Sequence, residues 1–150
     1  MPFCHFTLKG SKPFPAGYPL DPQTLGEHLR KKRINAGLMQ IEVAQILDAC
    51  ENSVVSWELG KTFPALKFIP RIIGFLGYLP FSDIMNKPFA ERIFILQQLR
   101  GITQEELASE FDISPDTLTR WIIGKNRPRK SIVERIDEEL QTLMNRYREE

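Results

Sequence analysis

The sequence predicts an all-α chain made of two tandem small helical bundles. Three observations lead there: a gapless internal repeat, an apolar periodicity of helical type, and helix-cap and breaker residues recurring at matching places. Aligning the chain with itself at an offset of 64 positions (Gln40 on Gln104) also superposes Glu42 on Glu106, Ala44 on Ala108 and Asp48 on Asp112. The same offset pairs Gly37 with Gly101, and Trp57, Gly60, Lys61 and Pro64 with Trp121, Gly124, Lys125 and Pro128. Two copies are too few for a stacked solenoid, whose neighbours bury one another's faces in a continuous array, so two compact units are expected. Their bounds read as a proline- and aromatic-rich segment at 1–20, a first unit at 21–79, a connector at 80–87 and a second unit with an acidic last helix at 88–150.

In the first unit Asp21 is placed to cap a helix opened by Pro22, because proline is tolerated where the amide has no partner anyway. Leu25, Leu29 and Ala36 then share one face, and the helix should stop near Gly37. A second helix is expected from about Gln40 to Leu47, with Val43, Ala44 and Leu47 inward. A third follows from about Glu51 to Leu59, with Val54 and Trp57 inward. In the second unit Thr103 and Glu106 have the spacing of a capping box, and Ser114 precedes Pro115, so helices should start at both places. Met39 and Cys50 hold the corresponding positions in the first unit and are poor caps, which makes those ends softer. Gly60 to Pro64 and Gly124 to Pro128 break the third helix of each unit, and a fourth helix follows in both. The link Gly77–Pro88 is too short for a long tether, so the units should touch.

Composition narrows the functional classes. An apolar share of 42% over 150 residues is enough for packed cores and argues against disorder. No run approaches the roughly eighteen apolar residues that cross a bilayer, and Met1–Gly10 lacks the order of a secretory signal, so a cytoplasmic protein is expected. Cys4 and Cys50 stand in no paired spacing with each other or with His5 and His28, which argues against a disulfide or zinc framework. With two isolated histidines and no glycine-rich loop, the chain offers neither a nucleophile with its base nor a phosphate cradle. No enzyme activity, cofactor or metal is expected. A net charge of +1 gives no global attraction to nucleic acid, so the placement of cations matters. Arg30, Lys31, Lys32 and Arg33 form one cluster and Arg127, Arg129 and Lys130 another, while 134–150 is predominantly acidic.

Two helices joined by a turn of three or four residues, with a small residue in the first and a tryptophan near the end of the second, make a helix-turn-helix. Arg33, Gly37, Gln40, Ala44, Trp57, Glu58, Gly60 and Lys61 carry a fuller pattern: a basic first helix, Gly-x-x-Gln, an alanine four residues on, and Trp-Glu-x-Gly-Lys. In these residues the first unit resembles the phage repressor and Cro-type helix-turn-helix family. The second keeps Gly101, Gln104, Ala108, Trp121, Gly124 and Lys125 but has Gln97 and Ile122 in place of Arg33 and Glu58. The resemblance implies a buried ion pair between Arg33 and Glu58. Losing both partners together is physically sensible, because removing one strands a buried charge whereas replacing both is often near neutral.

The resemblance further implies double-stranded DNA as the partner, with the third helix of each unit lying in the major groove. Glu51, Asn52, Ser53 and Ser56 would project to the bases from the first unit, and Asp116, Thr117, Thr119 and Arg120 from the second. Asn52 has the donor and acceptor for adenine, and Arg120 the paired donors for guanine. Glu51 and Asp116 fit cytosine, yet acids in a first helical turn are also favoured by the helix dipole alone. Gln40 and Gln104, opening the second helices, would grip phosphates, joined by Lys61, Lys125, Arg127, Arg129 and Lys130. Trp57 and Trp121, at helical spacing from Val54 and Leu118, read as core residues. For Arg30–Arg33, phosphate contact and a solvated face favoured by the helix C-terminus remain alternatives.

The first twenty residues read as a strap over the first unit, since Phe3, Phe6, Phe14 and Tyr18 need burial more than Lys9 and Lys12 need a minor groove. A competing role is protein interaction, as in an antitoxin of the same family holding its toxin. The acidic last helix, with Asp137, Glu138, Glu139, Glu149 and Glu150, suits a basic partner. Its Leu140, Leu143, Met144 and Tyr147 fit either the second core or another subunit, as in a homodimer. A third possibility is that the two units pair within one chain to imitate a two-fold dimer.

Overall fold

A computed structural model describes residues 13–148, so Phe3, Cys4, His5, Phe6, Lys9, Lys12, Glu149 and Glu150 lie outside the described residues. Among the described residues there are eight α-helices and no strand. They are α1 (Leu25–Asn35), α2 (Gln40–Leu47), α3 (Glu51–Glu58), α4 (Ile69–Leu76), α5 (Phe89–Arg100), α6 (Gln104–Glu110), α7 (Pro115–Ile122) and α8 (Lys130–Arg146). Short 3-10 turns at Leu66–Phe68 and Ile84–Asn86 lead into α4 and α5.

Helix starts follow cap chemistry, with one correction. Thr24, rather than Asp21, caps α1: its hydroxyl accepts from the Glu27 amide at 3.2 Å, while the Glu27 carboxylate accepts from the Thr24 and Gln23 amides at 3.1 and 2.7 Å. Asp21 has no carboxylate three residues on to close such a box, and Thr24 does, so the reciprocal pair wins. Those two amide bonds hold the Glu27 carboxyl below its ordinary pKa. Thr103 and Ser114 cap α6 and α7 through the Glu106 and Thr117 amides, as their sequence signatures require. In the first half Met39 and Cys50 contribute no side-chain cap, and only the Glu42 carboxylate, accepting from the Met39 amide at 2.7 Å, serves the start of α2.

Turns obey the same offset. Gly37, Asp48 and Gly60 have positive φ, and so do Gly101, Asp112 and Gly124, each 64 positions later. Aspartate is among the few side chains that tolerate the left-handed region, which lets Asp48 and Asp112 end α2 and α6. An arginine from the fourth helix then reaches each of those ends. Arg71 donates to the Leu47 carbonyl at 3.1 Å and Arg135 to the Glu110 carbonyl at 3.4 Å. Both supply orphan C-terminal carbonyls with a cationic donor.

Leu25, Leu29, Val43, Ala44, Leu47, Val54 and Trp57 fill the first half of the core, and Leu107, Ala108, Leu118, Trp121, Ile136 and Leu140 the second. Ala36 is exposed, because α1 ends at Asn35 and Ala36 is already its C-cap. Gly26 lets α1 lie against the end of α3: a Cβ there would fall 1.9 Å from the Trp57 carbonyl oxygen. The halves are in contact, and their buried side chains form one continuous cluster. α4, buried through Ile69, Ile72, Ile73 and Leu76, packs on α1, α2 and α5. Gly101 is seated on the start of α4, where a Cβ would lie 2.9 Å from Pro70 Cγ and 3.0 Å from the Leu66 carbonyl oxygen. The connector adds the buried Ile84 to this core. Tyr78, just ahead of it, is hydrogen-bonded through its hydroxyl to His28 Nδ1 of α1 at 2.8 Å.

Residues 13–20 follow α1 only in part. The Tyr18 hydroxyl donates to Asn35 Oδ1 at 2.9 Å, and Lys31 donates to the Leu20 carbonyl at 2.8 Å. Phe14, expected to be buried, is 64% exposed and stacks on Tyr18 instead. The apolar stripe of α8 is accounted for within the chain: Leu140 is buried, and Leu143, Met144 and Tyr147 pack against the core.

Candidate nucleic-acid interface

α3 turns Val54, Trp57 and Glu58 into the core, which leaves Glu51 and Asn52 exposed and Ser53 and Ser56 half-buried on its outer side. This division follows from the helical repeat, since 54, 57 and 58 occupy one face. The buried carboxylate of Glu58 needs compensation, and it receives three donors. Arg33 provides two in a fork, Nε to Oε1 at 2.6 Å and Nη2 to Oε2 at 2.9 Å, and Gln40 Nε2 adds a third to Oε2 at 2.9 Å. The Glu58 side chain is 1% exposed and that of Arg33 15%, so this is the desolvated ion pair that the resemblance implies. Arg33 also donates to the Leu38 carbonyl at 3.0 Å, which fixes the turn between α1 and α2. One amide hydrogen of Gln40 is thus taken up inside the protein and one remains.

α7 buries Leu118 and Trp121 and leaves Asp116, Thr119 and Arg120 exposed, with Thr117 half-buried. Its polar groups are more committed than those of α3. Arg120 Nε pairs with Asp116 Oδ2 one turn away at 2.9 Å. The Thr119 hydroxyl donates to the Pro115 carbonyl at 2.9 Å and accepts from Gln104 Nε2 at 2.6 Å. With Ile122 where Glu58 stands, no carboxylate occupies that position, and the Gln104 amide donates to the Thr119 hydroxyl of α7 instead.

Behind each of these helices runs an exposed loop held by the same backbone pattern. Gly60 donates to the Trp57 carbonyl and Lys61 to that of Ser56; Gly124 and Lys125 do the same to Trp121 and Arg120. Lys61 leaves the first loop, Lys125, Arg127 and Arg129 leave the second, and Lys130 opens α8 directly after it, all exposed. Among the described residues the salt bridges use only Lys130 of these, toward Glu134 at 3.7 Å. The other basic cluster is largely structural: Arg33 serves Glu58, Lys31 serves the Leu20 carbonyl, and the Arg30 guanidinium lies against Gly17.

Sequence reasoning missed one shared feature of the two loops. Leu59 and Ile123, 64 positions apart, are both more than half exposed just after α3 and α7, and so is Phe63. Their signal was available as an apolar pair at matching offset that no helical face could bury.

Compared with known families, residues 95–143 match a family model described as helix-turn-helix, a span running from within α5 into α8 and containing α6 and α7. The match falls on the half that lacks the Arg33–Glu58 pair and has the stronger side-chain caps. No curated protein and no solved structure matches the chain. Among the described residues no helix is long and apolar enough to cross a membrane.

Proposed function

We propose that the chain is a sequence-specific double-stranded DNA-binding protein, acting as a transcriptional regulator of prokaryotic or phage type. In this reading it carries two helix-turn-helix modules, at 21–79 and 88–150. The observation that carries it is the exposure of the outer sides of α3 and α7, each flanked by a loop whose cations are mostly free of intramolecular partners. A helix with its polar side outward fits the major groove, and cations at its end neutralise phosphates. On α3, Asn52 is set to read adenine and Glu51 cytosine, with Ser53 and Ser56 as adaptable hydroxyls; on α7, Arg120 has the paired donors for guanine, Asp116 the acceptors for cytosine, and Thr117 and Thr119 line the same side. Lys61, Lys125, Arg127, Arg129 and Lys130 contact the backbone, together with the remaining amide hydrogens of Gln40 and Gln104. The repeated positive-φ positions support two copies of one motif.

For α8, the packing of Leu140, Leu143, Met144 and Tyr147 on the chain's own core favours the core over another subunit as the place of its apolar stripe. Affinity for a mixed-sequence duplex pool, measured over a range of salt, tests the proposal. The logarithm of the binding constant should fall linearly with the logarithm of salt concentration as counterions are released. A salt-insensitive interaction, or none, would overturn it.

A further inference from the structure

We infer that the two exposed helices do unequal work, so that one chain recognises an asymmetric duplex: a base-specified tract under α3 beside a segment under α7 held chiefly by its phosphates. The inference rests on the duplex-binding proposal and adds the class of site. Its first support is the difference in side-chain commitment. On α3 the side chains of Glu51, Asn52, Ser53 and Ser56 make no hydrogen bond or ion pair among the described residues, so their donors and acceptors stay available to base edges. On α7 the Thr119 hydroxyl is used on both sides, by Pro115 and Gln104, and Arg120 is paired with Asp116.

That exposed pair is weak and does not lock Arg120 in place. Its effect is electrostatic. Guanine offers only acceptors, N7 and O6, on its major-groove edge, and a carboxylate 2.9 Å from the Arg120 guanidinium brings a like acceptor charge beside them. Asp116 therefore acts as a restraint on specificity.

The second support is the distribution of cations. Where the second half has Lys125, Arg127, Arg129 and Lys130, the first has Lys61, Phe63, Ala65 and Leu66 at the matching offset. Phosphate contacts supply affinity without sequence information, so the richer grip belongs to the half with the poorer reader. The third support is the shared core. Gly101 on Leu66 and Pro70 joins the halves in one body, so a single chain presents one of each surface and needs no second copy to complete the pair.

Binding-site selection on random duplexes, followed by salt titration of four proteins with matched thermal melts, tests this. The unaltered chain should return one informative tract with a degenerate flank. Asn52→Ala should flatten base preference in that tract by about tenfold with an unchanged salt slope, as expected for one lost base pairing. The triple variant R127A/R129A/K130A should reduce the salt slope by about 2 to 3 while base preference survives. Asp116→Ala should add a guanine preference to the flank. A palindromic site, two equally informative halves, or loss of preference in the triple variant would overturn the division of labour while leaving duplex binding intact. Failure of the unaltered chain to bind any duplex would instead remove the duplex-binding proposal, and this inference with it.

Discussion

The two halves of the molecule are braced across different helices and by different electrostatic means. In the first, α1, α2 and α3 converge on a desolvated carboxylate, where Glu58 accepts from Arg33 twice and from Gln40 once. In the second, Gln97 and Ile122 occupy the positions of Arg33 and Glu58. A partly buried network ties α5 to α6 and α8 there: Arg100 of α5 reaches Glu110 of α6 at 2.5 Å and Glu139 of α8 at 3.2 Å, and Arg92 pairs with Asp137 of α8. The first half thus has a buried, geometrically exacting clamp and the second a looser, partly exposed web. The first depends on every partner being present, whereas the Arg100 branch of the second, about a third exposed, can lose one member cheaply.

The sharpest way to break this comparison is Glu58→Ala, which strands the Arg33 guanidinium and should cost about 3–5 kcal/mol in thermal or urea unfolding. The double exchange R33Q/E58I copies the second half and should recover most of that loss. An unchanged melting temperature in the single variant would remove the clamp from the account. Next comes Gly26→Ala. Its new Cβ would meet a backbone oxygen that cannot step aside, so about 1–3 kcal/mol should be lost. Ala90, at the matching place in α5, already carries a Cβ, and Ala90→Gly should cost no more than about 1 kcal/mol.

Cap exchanges sharpen the contrast further. Thr103→Ala should destabilise by about 1 kcal/mol, while Met39→Thr, which completes a box with Glu42, should stabilise by up to about the same amount. The smallest effect belongs to Arg100→Ala, about 0–1 kcal/mol at low ionic strength and vanishing near 1 M salt, where the cost of Glu58→Ala persists. The same web has a pH signature. Hydrogen bonding to Arg100 holds the Glu110 carboxyl below its ordinary pKa. Its contribution is therefore complete above the unfolded carboxylate value of about 4.3 and is lost as pH falls through the lowered folded value. Acid unfolding of the Arg100→Ala variant should lack that increment.

What the sequence made legible was local. Thr103 with Glu106, and Ser114 with Pro115, carry their caps within four residues, and those helices begin where the chemistry requires. The Arg33–Glu58 pair was readable only through resemblance, because 25 positions separate its members. The true start of α1 is local too, since Thr24 has Glu27 three residues on and Asp21 has no carboxylate at that spacing. The approach of Gly26 to Trp57 and of Gly101 to Pro70 depends on how helices pack, and nothing near either glycine announces it. Gln104 was read as a group aimed outward; its bond to Thr119 arises because the missing carboxylate of the first half frees its amide, a consequence visible only once α6 and α7 are laid together. Phe14 shows the reverse error, since an aromatic ring can stack on a neighbour at the surface without entering a core.

The seat of Gly101 on the first turn of α4 also decides how the molecule should come apart. Apolar packing runs unbroken from Leu25 to Leu140, with Ile84 of the connector inside it. Heating should therefore give one calorimetric transition in which both ends of the chain lose structure together. Gly101→Val, by prising the seat open and forcing a branched side chain into left-handed backbone, should split that transition into two.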